Sequence, residues 1–471
     1  MEQYKTIVIG AGPAGLAAAN ELAKRGVKTL VLEQGDRPGG LARTEVYKGY
    51  RFDIGGHRFY TKNREVQQLW REMLGDDLLT VPRQSRIYYK RRFFNYPLTA
   101  LNTVTNLGPV ESSLIILSYA WARVRPTAKE ETFEEWVTNR FGGRLFRTFF
   151  KTYTEKVWGI PCDVLRADWA AQRIGKLSVT AAIKNALFGG NSAKTLISEF
   201  LYPALGPGMM WERFQESITT NGGRVLLNSA VVRLNHENGS IKSVMVRNGG
   251  EPVEIRAESF VSSMPLCDLV AGLRPEPPED VLRAAAGLKY RDFILVALVV
   301  NQPKLFSDNW IYIHAPDVRV GRIQNFRNWS SAMVAEKGKC CLGMEYFCFK
   351  GDDLWSMGDF RLCDLAADEL AALGLAVRSD VEDAAVVRQE KAYPVYDSEY
   401  HRNLQIIRQY LATFGNLQSI GRNGMHRYNN QDHSMLAGLL AARNLLGERH
   451  ELWSVNTDLS YGETVAEGMD D

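Results

Sequence analysis

The chain has 471 residues, 45% of them hydrophobic, and 57 Lys and Arg against 54 Asp and Glu leave a net charge of +3. Length and apolar content suffice for large cores and two or three domains. The near balance of charge excludes a global drive toward nucleic acid, so any anionic ligand depends on local basic clusters. The cysteines Cys162, Cys267, Cys340, Cys341, Cys348 and Cys363 show no Cys-x-x-Cys spacing and no histidine partner, so they read as reduced, and no metal site is expected.

In chain order, the apolar run Ile7-Val8-Ile9 breaks into Gly10-Ala11-Gly12-Pro13-Ala14-Gly15 and then a helical stretch from Leu16 to Arg25. Gly10 permits the turn out of the strand, Gly12 lets backbone approach a pyrophosphate, and Gly15 lets helix pack on strand, while the helix N-terminus faces the negative charge. A second apolar run, Val27 to Leu32, ends at Glu33 and Gln34, about where the ribose-binding acid of a dinucleotide fold belongs. Asp36-Arg37-Pro38-Gly39-Gly40-Leu41-Ala42-Arg43 adds a second glycine pair. Met1 leads into the first strand without a basic region and cleavage site, so no signal peptide is expected.

Next comes the loop Gly55-Gly56-His57-Arg58-Phe59-Tyr60-Thr61. Arg83, Arg86, Lys90, Arg91 and Arg92 alternate with Ile87, Tyr88, Tyr89, Phe93 and Phe94, which predicts a hairpin with a solvated turn and an aromatic underside, with phosphate contact by the basic cluster as the lesser alternative. Ser112 to Ala122, the longest apolar stretch, is too short to span a bilayer and reads as a buried helix rather than a membrane-facing one. Together these features predict a cytoplasmic protein. The amphipathic stretches Thr132 to Phe141 and Leu145 to Val157 lead into Tyr153-Thr154-Glu155-Lys156-Val157-Trp158-Gly159, by itself a helix end with Trp158 in the core and Gly159 as cap. Arg173-Ile174-Gly175-Lys176-Leu177 follows.

Nucleotide-binding elements return near 211–265, where Val231 is either a core valine or an adenine contact. The runs Phe293 to Val300, Trp310 to His314, Val318 to Gln324 and Cys341 to Phe349 are separated by Pro, Gly, Asn and Asp, predicting an antiparallel sheet that carries Arg322 and Glu345-Tyr346. Ala392-Tyr393-Pro394-Val395 comes next. Gly421-Arg422-Asn423-Gly424-Met425-His426-Arg427-Tyr428-Asn429-Asn430-Gln431-Asp432 then opens into a helix from Met435 to Asn444, and an acidic tail closes the chain. The expected fold class is α/β, a Rossmann-like nucleotide-binding domain interleaved with two inserted regions. The nucleotide-binding domain takes 1–75, 211–275 and 415–471, a mainly helical subdomain 76–210, and an antiparallel sheet domain 276–414.

The first 43 residues resemble the FAD-binding domain of the flavin amine oxidase, protoporphyrinogen oxidase and UDP-galactopyranose mutase superfamily, where a Gly-Gly segment follows the acid-tipped strand. The resemblance implies FAD, held by Gly10, Gly12, Pro13, Ala14, Gly15, Glu33, Gln34, Gly39, Gly40, Leu41, Ala42 and Arg43. Gly55, Gly56, His57, Val231, Gly421, Arg422 and Gln431 complete that cofactor set. The inserted regions are similar to UDP-galactopyranose mutase. His57 matches the first histidine of its Gly-Ala-His-x-Phe-His-Thr loop beside the flavin ring, whereas Tyr60 replaces the second and cannot become cationic.

Tyr153 and Trp158 match residues that contact the sugar nucleotide there. Arg173 is kept, and Lys176 stands near a missing second arginine. Arg322 matches an arginine that pairs with the pyrophosphate and is needed for turnover, a task suited to a planar, permanently charged guanidinium. Tyr346, Tyr393, Arg427 and Tyr428 complete the implied substrate set, with Asn430 replacing an acid. The implied activity is that of a nucleotide-sugar pyranose/furanose mutase, in which N5 of reduced FAD bonds the anomeric carbon as the nucleoside diphosphate leaves, without net redox. It calls for an external reductant and is compatible with a homodimer. The departures at Tyr60, Lys176 and Asn430 keep an alternative open, an FAD-dependent oxidoreductase of the amine oxidase or protoporphyrinogen oxidase type that takes hydride from a small-molecule substrate.

Overall fold

A computed structural model describes residues 4–167 and 198–457, so the expectations for Arg173, Lys176 and the acidic tail lie outside the described residues. Tyr4–Ile9 is the centre of the first sheet, flanked in parallel by Thr29–Leu32 and by the C-terminal half of Val253–Ser262. From one edge the order is Leu273–Arg274, Ala230–Glu237, Ser240–Arg247, Val253–Ser262, Tyr4–Ile9, Thr29–Leu32 and Arg224–Leu226, with Leu417–Ser419 also paired to Val253–Ser262. The chain therefore returns to this sheet from three separate stretches. Ile7 to Ile9 and Leu30 to Leu32 are uninterrupted apolar runs because both faces of the parallel strands are covered. One face packs the helices Pro13–Lys24, Gly208–Thr220 and Gln431–Leu445, and the other packs Leu266–Gly272, Glu279–Ala286 and Tyr400–Leu411.

The second sheet runs Val381–Pro394, Tyr290–Val300, Cys340–Cys348, Arg322–Asn325, Trp310–Ile313, Ser85–Tyr89 and Arg92–Asn95. It is antiparallel except where Trp310–Ile313 meets Ser85–Tyr89. Three of the four runs expected between 293 and 349 coincide closely with its strands, whereas the run expected from Val318 to Gln324 forms a strand only from Arg322 to Asn325. The basic and aromatic hairpin forms as expected, turning at Lys90 and Arg91, which both adopt positive φ, and it extends this sheet. Residues 78–82 and 199–203 also pair as strands, so the stretch 76–210 contributes β-structure as well as helices.

Alternation along the strands gives the second sheet two different faces. Ile294, Ile323, Met344 and Tyr346 point to a core closed by the helix Asp359–Ala372. The opposite face presents the cross-strand row Ile87, Tyr312, Arg322 and Glu345. The helices Phe133–Phe141 and Thr152–Trp158, the latter preceded by a wider helical turn over Phe146–Lys151, pack in one apolar cluster with Ile87 and Phe94 of the second sheet.

The helix Pro109–Val124 departs from expectation. The apolar stretch inside it was expected to be buried, yet only Ser112, Ile115 and Ala122 are. Leu117 and Trp121 stay 65% and 61% exposed, because the helix packs on its neighbours through one narrow stripe.

Candidate active site

The glycine-rich loop after the first strand forms a cradle built by backbone. Gly10 has φ +97°, and a Cβ there would sit 2.3 Å from Ser263 Oγ. One on Gly15 would lie 2.0 Å from the Gly10 carbonyl oxygen, so only glycine lets the helix Pro13–Lys24 approach its strand this closely. Gly12 and Gly40 face each other across the loop, and the Gly39 N–H donates to Ala11 O at 2.8 Å. No side chain caps the helix at Gly12, and its first turn holds no acid, which leaves its N-terminal N–H groups to an anion. Glu33 is buried and accepts N–H bonds from Ala11 at 2.7 Å and Gly35 at 2.8 Å.

A single cavity of about 1510 Å³ starts at this cradle and continues to the second sheet. Gly10, Gly12, Pro13, Ala14, Glu33, Gln34 and Val231 line it, as do Gly40, Leu41, Ala42, Arg43, Gly55, Gly56, His57, Gly421, Arg422 and Gln431. Gly15 and Gly39 stand behind the lining and support it. Beyond them the wall passes to Tyr60, Tyr153, Trp158, Arg322, Tyr393 and Tyr428. The volume exceeds the usual range for one small ligand and has room for a dinucleotide and a second molecule.

At the second sheet, Arg322 and Glu345 are direct cross-strand partners. Nε and a terminal nitrogen of Arg322 both lie 2.6 Å from Glu345 Oε2, and Gln324 Nε2 donates to Oε1 at 2.8 Å. Burial pushes the Glu345 carboxyl upward against the pull of Arg322 and Gln324, while Arg322 stays charged. A Cβ on Gly55 would lie 3.6 Å from Arg322 and 4.0 Å from Tyr393 Oη, which ties the loop to this pair.

His57 is depressed to about 3 by burial, then by the cationic Arg422 and Arg322, and so is neutral. Burial raises the phenols of Tyr153 and Tyr393, which keeps both protonated. Tyr153 stacks on His314 at 4.8 Å, Tyr393 stacks on Tyr428 at 5.6 Å, and Arg422 lies 4.7 Å over the Tyr428 ring.

Trp158 both lines the cavity and is buried, and Gly159 caps its helix in the left-handed conformation. Arg291 clamps that helix end by donating to the carbonyls of Val157 and Lys156, and also to Phe347. A separate arm of the cavity is apolar, walled by Val104, Ile115, Ile116, Phe141, Leu145 and Phe149.

Two expected substrate residues lie elsewhere. Tyr346 is in the core and donates to Glu369 Oε2 at 3.1 Å, because neighbours on a strand point to opposite faces and Glu345 takes the cavity side. Arg427 turns away to donate to the carbonyls of Trp453 and Val455, both at 2.6 Å. Two residues missed as site members have clear signals in retrospect. Glu345 is the one charged residue in the buried strand Cys340–Cys348, and a buried carboxylate calls for a cationic partner. Asp432, in the first turn of Gln431–Leu445, is pushed to about 7 by burial.

Among the described residues, the buried atoms His57 Nδ1 and Gln431 Oε1 have no hydrogen-bond partner. Buried polar atoms left this way are rare, and both face the space the cradle defines, so the residues fit a dinucleotide with a polar ring system.

Comparison with known proteins agrees with this geometry. A 56-residue stretch is 50% identical to the all-trans-retinol 13,14-reductase of Danio rerio, covering 12% of this chain and 9% of that protein. Over 182 residues the chain is 24% identical to the probable UDP-galactopyranose mutase of Klebsiella pneumoniae, covering 35% of this chain and 45% of that one. These curated relatives are thus matched over less than half of their length. The crystal structure of reduced UDP-galactopyranose mutase superposes with a TM-score of 0.84 at 22% identity, over 97% of this chain and 98% of that one. The family model for flavin containing amine oxidoreductases matches residues 13–311, and the chain belongs to that flavoprotein family.

Proposed function

We propose that the protein is an FAD-dependent mutase that interconverts pyranose and furanose forms of a nucleotide sugar. The observation that carries this reading is Arg322, a partly buried guanidinium oriented by Glu345 and Gln324 in the same cavity as the dinucleotide cradle. The fold likeness to reduced UDP-galactopyranose mutase over nearly the whole chain supports it. Reduced FAD, when bound, supplies the nucleophile that lets the sugar ring open and reclose without net redox.

The chain's own residues bind and orient. Glu345 engages Nε and one terminal nitrogen of Arg322, which leaves the other terminal nitrogen for a diphosphate oxygen. Its charge is present at any working pH. The protonated phenols of Tyr153 and Tyr393 donate hydrogen bonds, Trp158 walls the sugar, and neutral His57 adds no charge that competes for the diphosphate.

A second reading is favoured by the apolar arm lined by Ile115, Phe141 and Phe149, which suits an oxidoreductase acting on a lipophilic substrate at the same flavin site. The test is chromatography of nucleotide hexopyranoses and hexofuranoses incubated with oxidised and with anaerobically reduced enzyme, the released cofactor being identified after denaturation. Conversion only after reduction, at unchanged product mass, is the expected result. No sugar turnover, together with bleaching of the oxidised flavin by a lipophilic amine or alkene, would replace the mutase with the second reading.

A further inference from the structure

The exposed side chains of the helix Pro109–Val124 form one stripe. Val110, Leu114, Leu117, Trp121 and Val124 recur at spacings of four and three residues, all on the solvent side. The helix Ala100–Leu107 adds Leu101, which is 77% exposed. No described segment covers this face. Sixteen residues span about 24 Å at 1.5 Å per residue, too short to cross a bilayer but long enough to lie in its surface.

Charge says what covers it. Residues 83–129 hold eight Lys and Arg and a single acid, Glu111, although the whole chain carries only +3. Glu111 is taken by Arg144 at 2.7 Å. At one end of the stripe, Arg92 ties the hairpin to the helix junction by donating to Asn106 O at 2.5 Å, with Lys90 and Arg91 exposed beside it. At the other end, Arg123 is exposed and Arg125 lies 4.7 Å over the Trp121 ring. A second copy paired antiparallel along the stripe would bring Arg123 and Arg125 against Lys90 to Arg92, and a parallel pair would bring each cluster against itself. Cations meet cations either way, whereas anionic lipid headgroups complement both ends.

We infer that this helix pair is a membrane-docking surface that lies in the interface of an anionic lipid leaflet. The inference does not depend on which flavin reaction the protein performs. The test is flotation of the full chain with vesicles of phosphatidylcholine and phosphatidylglycerol, and with vesicles of phosphatidylcholine alone.

The wild type floats with the anionic vesicles and is released by high salt. The Leu117→Glu/Trp121→Glu variant binds at least about tenfold more weakly, as loss of buried apolar area demands, and Arg123→Glu/Arg125→Glu loses the preference for phosphatidylglycerol. All these side chains are exposed, so thermal melts should match wild type and keep the comparison valid. Absence of binding, or equal binding by wild type and both variants, overturns the inference. A wild-type dimer that the Leu117→Glu/Trp121→Glu change dissociates, seen by light scattering, also overturns it by assigning the face to a second copy.

Discussion

Arg322→Ala makes the Arg322–Glu345 ion pair a quantitative test of the site. Glu345 has no exposed side-chain surface, and Arg322 is its cationic partner. Removing one member of such a pair costs about 3–5 kcal/mol, because the remaining charge is buried without compensation. Glu345 has an escape, since burial already pushes its carboxyl up and the variant removes the arginine that opposes that push.

In the variant the folded-state pKa lies above the unfolded value near 4.5, so stability is present below that value and lost as pH rises toward the folded-state value. Protonating the carboxyl costs about 1 kcal/mol at about pH 5 and about 5 kcal/mol at about pH 8. The destabilisation relative to wild type is therefore small in acid and approaches the full 3–5 kcal/mol, as an order of magnitude, near pH 8. With an unfolding entropy of about 1 kcal/mol/K for a chain of this length, that is a Tm loss of about 3–5 °C. Differential scanning calorimetry of both proteins at the two pH values measures it, and Arg322→Ala/Glu345→Gln should remove the pH dependence of the difference. A Tm difference between Arg322→Ala and wild type that does not change with pH would refute the reasoning.

Other perturbations separate structural from ligand-binding roles. Gly12→Ala should fold normally, since a Cβ there meets nothing nearer than Gly40 Cα at 3.9 Å, yet it should lose flavin absorbance per mole because the methyl occupies the cradle. Gly15→Ala should instead lower Tm or solubility, its Cβ falling against the Gly10 carbonyl. Tyr346→Phe should cost about 1 kcal/mol of stability for one lost hydrogen bond and leave substrate KM unchanged, while Tyr393→Phe should change steady-state turnover with little change in melting. Arg291→Met strands carbonyls of Lys156, Val157 and Phe347 and should destabilise by about 3 kcal/mol, measured by urea unfolding.

The glycine-rich cradle was legible in the chain because contiguous backbone builds it: the turn at Gly10, the helix start at Pro13 and the acid at Glu33 are each local consequences of residue type. The strands of the second sheet were legible for the same reason, through β-branched and aromatic runs broken by turn residues. Which side chain of a neighbouring pair faces the cavity was not, since register and the covering helix decide it. Glu345 meets Arg322 across two strands, while Tyr346 is committed to Glu369 on a helix over twenty residues away. Arg427, in a segment that otherwise lines the site, is diverted by carbonyls at 453 and 455.

The helix Pro109–Val124 shows the same division. Its sequence determined that it is apolar, helical and too short to span a bilayer, because hydropathy and length are properties of a segment alone. Only the tertiary structure decided that most of that apolar surface stays outside, because burial depends on whether another element packs against the stripe, and among the described residues none does.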